Sequence, residues 1–106
     1  MSKFMRMLVF FDLPVKTGAE RRSAARFRNF LLSDGYHMIQ YSVYARVCNG
    51  MDAVKKHSTR LRNNLPDNGS VRLLVITEKQ FESIEILIGP LTEADDSFQY
   101  EQLSIF

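Results

Sequence analysis

A chain of 106 residues, 45% hydrophobic and 25% charged, is expected to form one globular domain with a single core. No apolar run approaches the ~20 residues of a membrane span, and the only cysteine, Cys48, excludes an internal disulfide and a cysteine metal cluster. The net charge of +2 is divided: residues 1–72 hold 13 of the 14 Lys and Arg and 5 of the 12 Asp and Glu, a balance of +8, leaving −6 for the rest. A soluble, unexported protein of a reducing cytoplasm is expected, with a basic body suited either to a polyanion or simply to solvated helix faces.

The stretch "RMLVFFDLP" is too apolar for a loop and too short for a buried helix. It predicts an interior strand over Met7 to Phe11, with Asp12 at its carboxyl end. "AERRSAARFRNFLLSDG" predicts a helix ended by Gly35, with Thr17 and Glu20 at the spacing of a capping box. On it Ala24, Phe27, Phe30 and Leu31 share one arc, and Arg21, Arg22, Arg26 and Arg28 the other. "YHMIQYSVYARVC" predicts a tight hairpin turning near Gln40 to Ser42. A second helix follows, capped near Asn49 and ending before Pro66, with Met51, Val54, Leu61 and Leu65 inward and Lys55, Lys56, Arg60 and Arg62 outward. "DNGS" is a turn, residues 71–77 a buried strand, and "IEILIG" (84–89) a fifth strand.

The order β α β β α β is that of a ferredoxin-like α+β sandwich, with both helices on one side of the sheet. The first strand and the 71–77 strand are apolar on both alternations, so the second sheet face needs a cover; homodimerisation through the sheets supplies it, and the fifth strand can add to the partner's sheet edge. Residues 1–90 make the domain. Residues 91–106 are an acidic linker followed by an apolar tail, "FQYEQLSIF", expected to dock on the dimer or on another protein.

Asp12 is either a turn former or a metal ligand. On a two-fold face it can meet its mate, and two facing carboxylates suit Mg²⁺, which takes one or two carboxylates and completes its shell with water and phosphate oxygen. His37 and His57 lack metal-ligand spacing and are expected on an exposed or half-buried surface. Ser42 has no evident base, and no GxGxxG, Walker A or GxSxG motif occurs. Phe4, Phe10, Phe11, Tyr41 and Tyr44 are expected to form a core cluster rather than a base-stacking platform.

"MLVFFDLP", the arginine-rich first helix, "GYHMIQYSVYARV", the helix ending at Pro66 and "GSVRLLVIT" together resemble the Cas-two family, the small CRISPR-associated proteins of spacer acquisition. "FFDLP" and "TEKQF" look like members that accompany type II systems. The resemblance covers residues 5 to about 90. It implies a homodimer that joins the CRISPR integrase subunit to capture and insert duplex DNA, and a Mg²⁺-dependent endonuclease activity reported for some members, with single-stranded RNA as an alternative substrate. It places the metal aspartate at Asp12, basic residues at Arg21 and Arg22, and the hairpin Gln and Ser at Gln40 and Ser42. Phe11 stands where many members carry tyrosine, which removes a hydroxyl near the metal. Two other readings stay open: a stand-alone metal-dependent ribonuclease of the virulence-associated toxin type, and a small-ligand regulatory domain. The latter lacks a glycine-rich ligand loop and leaves the arginine helix unexplained.

Overall fold

The computed structural model describes residues 3–90; the 91–106 linker and tail lie outside the described residues. The elements are β1 (Phe4–Asp12), α1 (Gly18–Ser33), β2 (His37–Gln40), β3 (Val43–Asn49), α2 (Met51–Arg62), β4 (Ser70–Thr77) and α3 (Glu78–Glu82). The four strands form one antiparallel sheet in the order β2-β3-β1-β4, the ferredoxin-like arrangement expected from the sequence.

Alternation along β1 divides the sheet into two faces. Met7, Val9 and Phe11 point toward α1 and α2, where they meet Phe27, Leu31, Tyr44, Val54 and Leu61 in the main core. The Phe11 ring packs edge-on against Phe27 at 5.3 Å between centroids. The expected five-aromatic cluster is split by the same alternation: Phe11 and Tyr44 are core, whereas Phe4, Phe10 and Tyr41 are exposed.

Both ends of α1 are built from local chemistry. Thr17 Oγ1 accepts from Glu20 N at 3.1 Å, and Glu20 Oε1 accepts from Thr17 N at 2.9 Å, a reciprocal capping box. At the other end Gly35, at φ +90°, lets Tyr36 N reach Leu31 O (2.9 Å) and Gly35 N reach Leu32 O (3.2 Å), which is a Schellman closure. In α2 the expected cap at Asn49 is displaced: Gly50 takes that position, with no side-chain cap bond. Val54 and Leu61 face inward as expected, but Met51 and Leu65 are exposed, and His57 and Ser58 are buried in their stead. Met51 lies in the first turn and Leu65 beyond the last, where the helix no longer covers the sheet.

The second face is not bare. Leu8 and Ala45 are covered by Phe81 of α3, a helix absent from the sequence reading. "TEKQF" accounts for it residue by residue. Thr77 and Gln80 form a second capping box, Glu78 makes a bidentate pair with Arg6 (Nε to Oε1 2.7 Å, Nη2 to Oε2 2.5 Å), and the Phe81 ring lies 4.1 Å below the Arg6 guanidinium. Arg6 is therefore buried on an otherwise apolar strand because its charge is matched from both sides. The cover is partial: Phe10, Val47 and Leu74 remain exposed.

Within this chain the expected fifth strand over 84–89 does not form, and among the described residues the sheet has four strands. The chain leaves α3 beside β2 instead, where Met38, Ile39 and the 84–90 segment border a shallow groove.

Candidate nucleic-acid interface and metal position

Asp12 closes β1 on the parity of Leu8 and Phe10, the face away from α1 and α2, and is exposed. Three neighbours fix the strand end. Asp12 pairs with Ser70 on β4, Phe11 N donates to Ser42 O at 3.1 Å, and Gly69 turns at φ +102° against the Asp12 carbonyl. A Cβ on Gly69 would stand 2.6 Å from Asp12 O and 2.8 Å from Leu13 Cδ2, so only glycine fits both the space and the backbone angle. We expect Gly69→Ala to lower stability by about 2 kcal/mol or more, because a left-handed alanine costs ~1–2 kcal/mol before the clash is counted; a thermal melt checks this, and an unchanged melting temperature would contradict it.

The hairpin turns at Tyr41 and Ser42, as the sequence indicated, with Ser42 in the left-handed region at φ 65°. Its link to the Asp12 end runs through the backbone carbonyl; among the described residues no side-chain hydrogen bond joins Gln40 or Ser42 to Asp12. No three His, Cys, Asp or Glu side chains gather as a metal cluster among the described residues either. Each chain thus offers one well-held carboxylate at a rigid strand end.

The eight basic helix residues divide by what they touch. Arg21 donates to Val15 O (3.2 Å) and Lys16 O (3.0 Å), tying the loop after Asp12 to α1. Arg60 donates to Asp34 Oδ1 at 3.0 Å while its side chain stays half exposed. Arg60 and Arg62 also occupy the last turn of α2, where cations offset the helix dipole. Arg22, Arg26, Arg28, Lys55, Lys56 and Arg62 make no ion pair among the described residues; all are exposed except the half-exposed Arg28. Two helices carrying this many solvated cations form a surface suited to phosphates.

A buried polar cluster, missed in the sequence, locks the two helices together. Asp34, the C-cap of α1, accepts at Oδ2 from His57 Nδ1 (2.8 Å) and at Oδ1 from Arg60, and its backbone carbonyl accepts from Arg46 Nη1. A charged Asp34 requires the Nδ1–H tautomer of His57, so the Arg46 guanidinium, 3.1 Å from the same nitrogen, packs against the ring rather than bonding to it. Burial pushes the Asp34 carboxyl upward, but the hydrogen bonds from His57 and Arg60 and the charge of Arg46 outweigh it and hold the group below its ordinary value of 3.8. This is why His57 is inside rather than on the surface. Nearby Cys48 is buried and its thiol is pushed up by that burial, which makes it an inert packing residue.

A ferredoxin-like sandwich with a basic helical layer and a carboxylate at the end of its first strand is the class these observations define. The CRISPR associated protein Cas2 family model matches residues 5–84. The chain is 54% identical to the CRISPR-associated endoribonuclease Cas2 of Acidovorax ebreus, over 96% of this chain and 100% of that protein. It is 41% identical to the protein of the same name from Campylobacter jejuni, over 98% of this chain and 73% of the other. A solved structure described as a crystal structure of Cas2 superposes with a TM-score of 0.58 at 15% identity, covering 88% of this chain and 94% of that one, a likeness of fold. The chain belongs to the CRISPR-associated Cas2 family.

Proposed function

We propose that the protein is a homodimeric DNA-binding scaffold of CRISPR adaptation, which joins the integrase subunit to capture and insert spacer DNA. Mg²⁺-dependent phosphodiester cleavage at Asp12 is a subsidiary activity. The observation that carries this reading is the disproportion between the two candidate sites: on α1 and α2 an extended set of exposed cations that make no ion pair among the described residues, against a metal position to which the described residues bring Asp12 alone. Phosphate contacts of this kind bind a duplex without reading its bases.

The dimer is supported by the uncovered part of the second sheet face, where Phe10, Val47 and Leu74 stand beside the Phe81 cover. Leu87 and Ile88, 90% and 94% exposed at the edge of β2, support addition of this segment to a partner's sheet. Light scattering should give about twice the chain mass of 12.3 kDa; a stable species at 12.3 kDa would remove the dimer.

Among the described residues no metal cluster gathers within one chain, so a metal at Asp12 fits as an ion shared between two copies. Asp12 lies on the face that a two-fold axis would double, and two aspartates satisfy the protein share of a Mg²⁺ shell. Bound there, the ion would polarise a phosphodiester and ease deprotonation of a water. What the chain itself supplies is a rigid ligand position, set by the Ser42 and Ser70 backbone contacts and by Gly69.

The test is the salt dependence of duplex DNA binding. With six or more phosphate contacts, affinity should fall about a thousandfold between roughly 50 and 200 mM salt, with little preference among sequences. A flat salt response would contradict the reading. The name endoribonuclease, carried by the relatives, favours a second reading: a stand-alone metal-dependent ribonuclease acting on single-stranded RNA.

A further inference from the structure

One arginine stands apart from the helices. Arg72 lies on β4 between Val71 and Leu73, which pack against the main core, so alternation sends its side chain to the other sheet face, that of Leu8 and Ile76. This is also the face of Asp12. The β1–β4 register sets Phe10 opposite Arg72 and Asp12 opposite Ser70. Directly opposed side chains on antiparallel strands have Cβ atoms about 5 Å apart, and diagonal neighbours about 7–8 Å, so Ser70 stands across from Asp12 and Arg72 one step further along the same face. All three residues are exposed, and among the described residues none of their side chains makes a hydrogen bond or an ion pair. A carboxylate, a hydroxyl and a guanidinium thus share one end of one face with their polar atoms uncommitted.

The surroundings of Arg72 call for a counter-charge. Phe10, its cross-strand partner, and Leu74, next in its row, are exposed apolar side chains that the dimer proposed above would cover. A guanidinium at the margin of a covered face is costly unless it is paired. Glu78 is already committed to Arg6. Charge balance at Asp12 names the group that fits. Two Asp12 carboxylates and one Mg²⁺ sum to zero, so an ion shared between two copies offers an incoming phosphodiester no net attraction. An arginine beside them supplies the missing positive charge, and its planar fork matches two oxygens of one phosphate. We propose that Arg72, with the Ser70 hydroxyl, forms a phosphate-binding site beside Asp12 that holds one phosphodiester of a nucleic-acid strand against the metal position. The site is separate from the cations of α1 and α2, which lie on the other side of the sheet.

The inference rests on the reading of Asp12 as a metal ligand and deepens it, and the experiment separates the two. Binding of a labelled single strand to the full chain is followed by fluorescence anisotropy, with Ca²⁺ as the oxygen-liganded ion and again in chelator. DNA and RNA strands of one sequence are run in parallel, and gels confirm that they stay intact. The ion should tighten binding by the unaltered protein, and Asp12→Asn should lose that gain. Arg72→Gln should weaken strand binding in Ca²⁺ about tenfold, the scale of one charge-assisted hydrogen bond, with Arg72→Lys falling between. The double variant Asp12→Asn, Arg72→Gln should bind no more weakly than the weaker single variant, because both residues act on the same phosphate. Dimer mass and duplex affinity should not change. Full strand affinity in Arg72→Gln overturns the phosphate site and leaves the metal reading standing. So does a loss confined to DNA or to RNA, which marks a sugar contact, or an Arg72→Gln dimer that falls apart, which marks an ion pair between copies. An ion effect absent from the unaltered protein, or intact in Asp12→Asn, removes the metal reading and this inference with it.

Discussion

Asp34→Ala lowers stability by about 3 kcal/mol, at the lower end of what removing one partner of a buried charge cluster costs. For a domain of this size that corresponds to a fall in melting temperature of roughly 12 to 24 °C. The loss has three parts. His57 is left buried without its acceptor, Arg60 loses its anchor, and the Arg46 guanidinium faces an enclosed site with no counter-charge. The effect depends on pH in a direction fixed by the carboxylate. Because the folded protein holds Asp34 below its ordinary value of 3.8, its contribution is fully present above that value and is lost as pH falls through the lower, folded value. The stability difference between the unaltered protein and Asp34→Ala should therefore be constant near neutrality and shrink in acid below about pH 4. Denaturant melts of both proteins across that range measure it. A difference under about 0.5 kcal/mol at neutral pH, the size of an ordinary surface substitution, would mean the cluster holds nothing together.

The same cluster marks the boundary of what the sequence discloses. The alternation of β1, the Thr17 to Glu20 spacing, the glycine after α1 and the turn at Tyr41 and Ser42 are local signals, and the structure follows each of them. His57 and Arg6 are decided by partners 23 and 72 residues away. No window around "KKHST" or "FMRML" contains Asp34 or Glu78, so burial of a histidine and an arginine could not be anticipated there. The short helix α3 is a different case. Five residues give no period to detect, but Thr77 and Gln80 stand at capping-box spacing right after a strand, a signal legible in "TEKQF". Reading 84–89 as a strand followed from its apolar composition alone, which cannot say whether the pairing edge lies in the same chain.

The site was legible in its parts and not in its assembly. Asp12 could be placed at a strand end because five apolar residues precede it, and the helix cations could be assigned to the outer arcs by periodicity. That Arg21 and Arg60 are spent on structural contacts depends on where loops and caps come to rest. Gly69 is visible in the sequence only as part of a turn; its role in seating the carbonyl of Asp12 appears when β1 and β4 are brought together.

Asp12→Asn separates the scaffold from the nuclease, and it is the other large effect. An amide binds Mg²⁺ poorly, so metal-dependent cleavage should fall to background, a loss of a hundredfold or more in line with removal of a metal-assisted step. Folding should be unaffected, since the exposed Asp12 carboxylate makes no ion pair among the described residues and its strand is held by backbone pairing. Duplex binding should also persist, because the exposed cations lie on the helices and Asp12 on the opposite sheet face. The direct measurement is spacer insertion by the complete integrase complex containing Asp12→Asn, run beside a charge-removal variant of Arg22, Arg26, Lys55 and Lys56. Insertion near the unaltered rate is expected with Asp12→Asn and its loss with the charge-removal variant; a dead Asp12→Asn complex beside an active charge-removal complex would contradict the scaffold role.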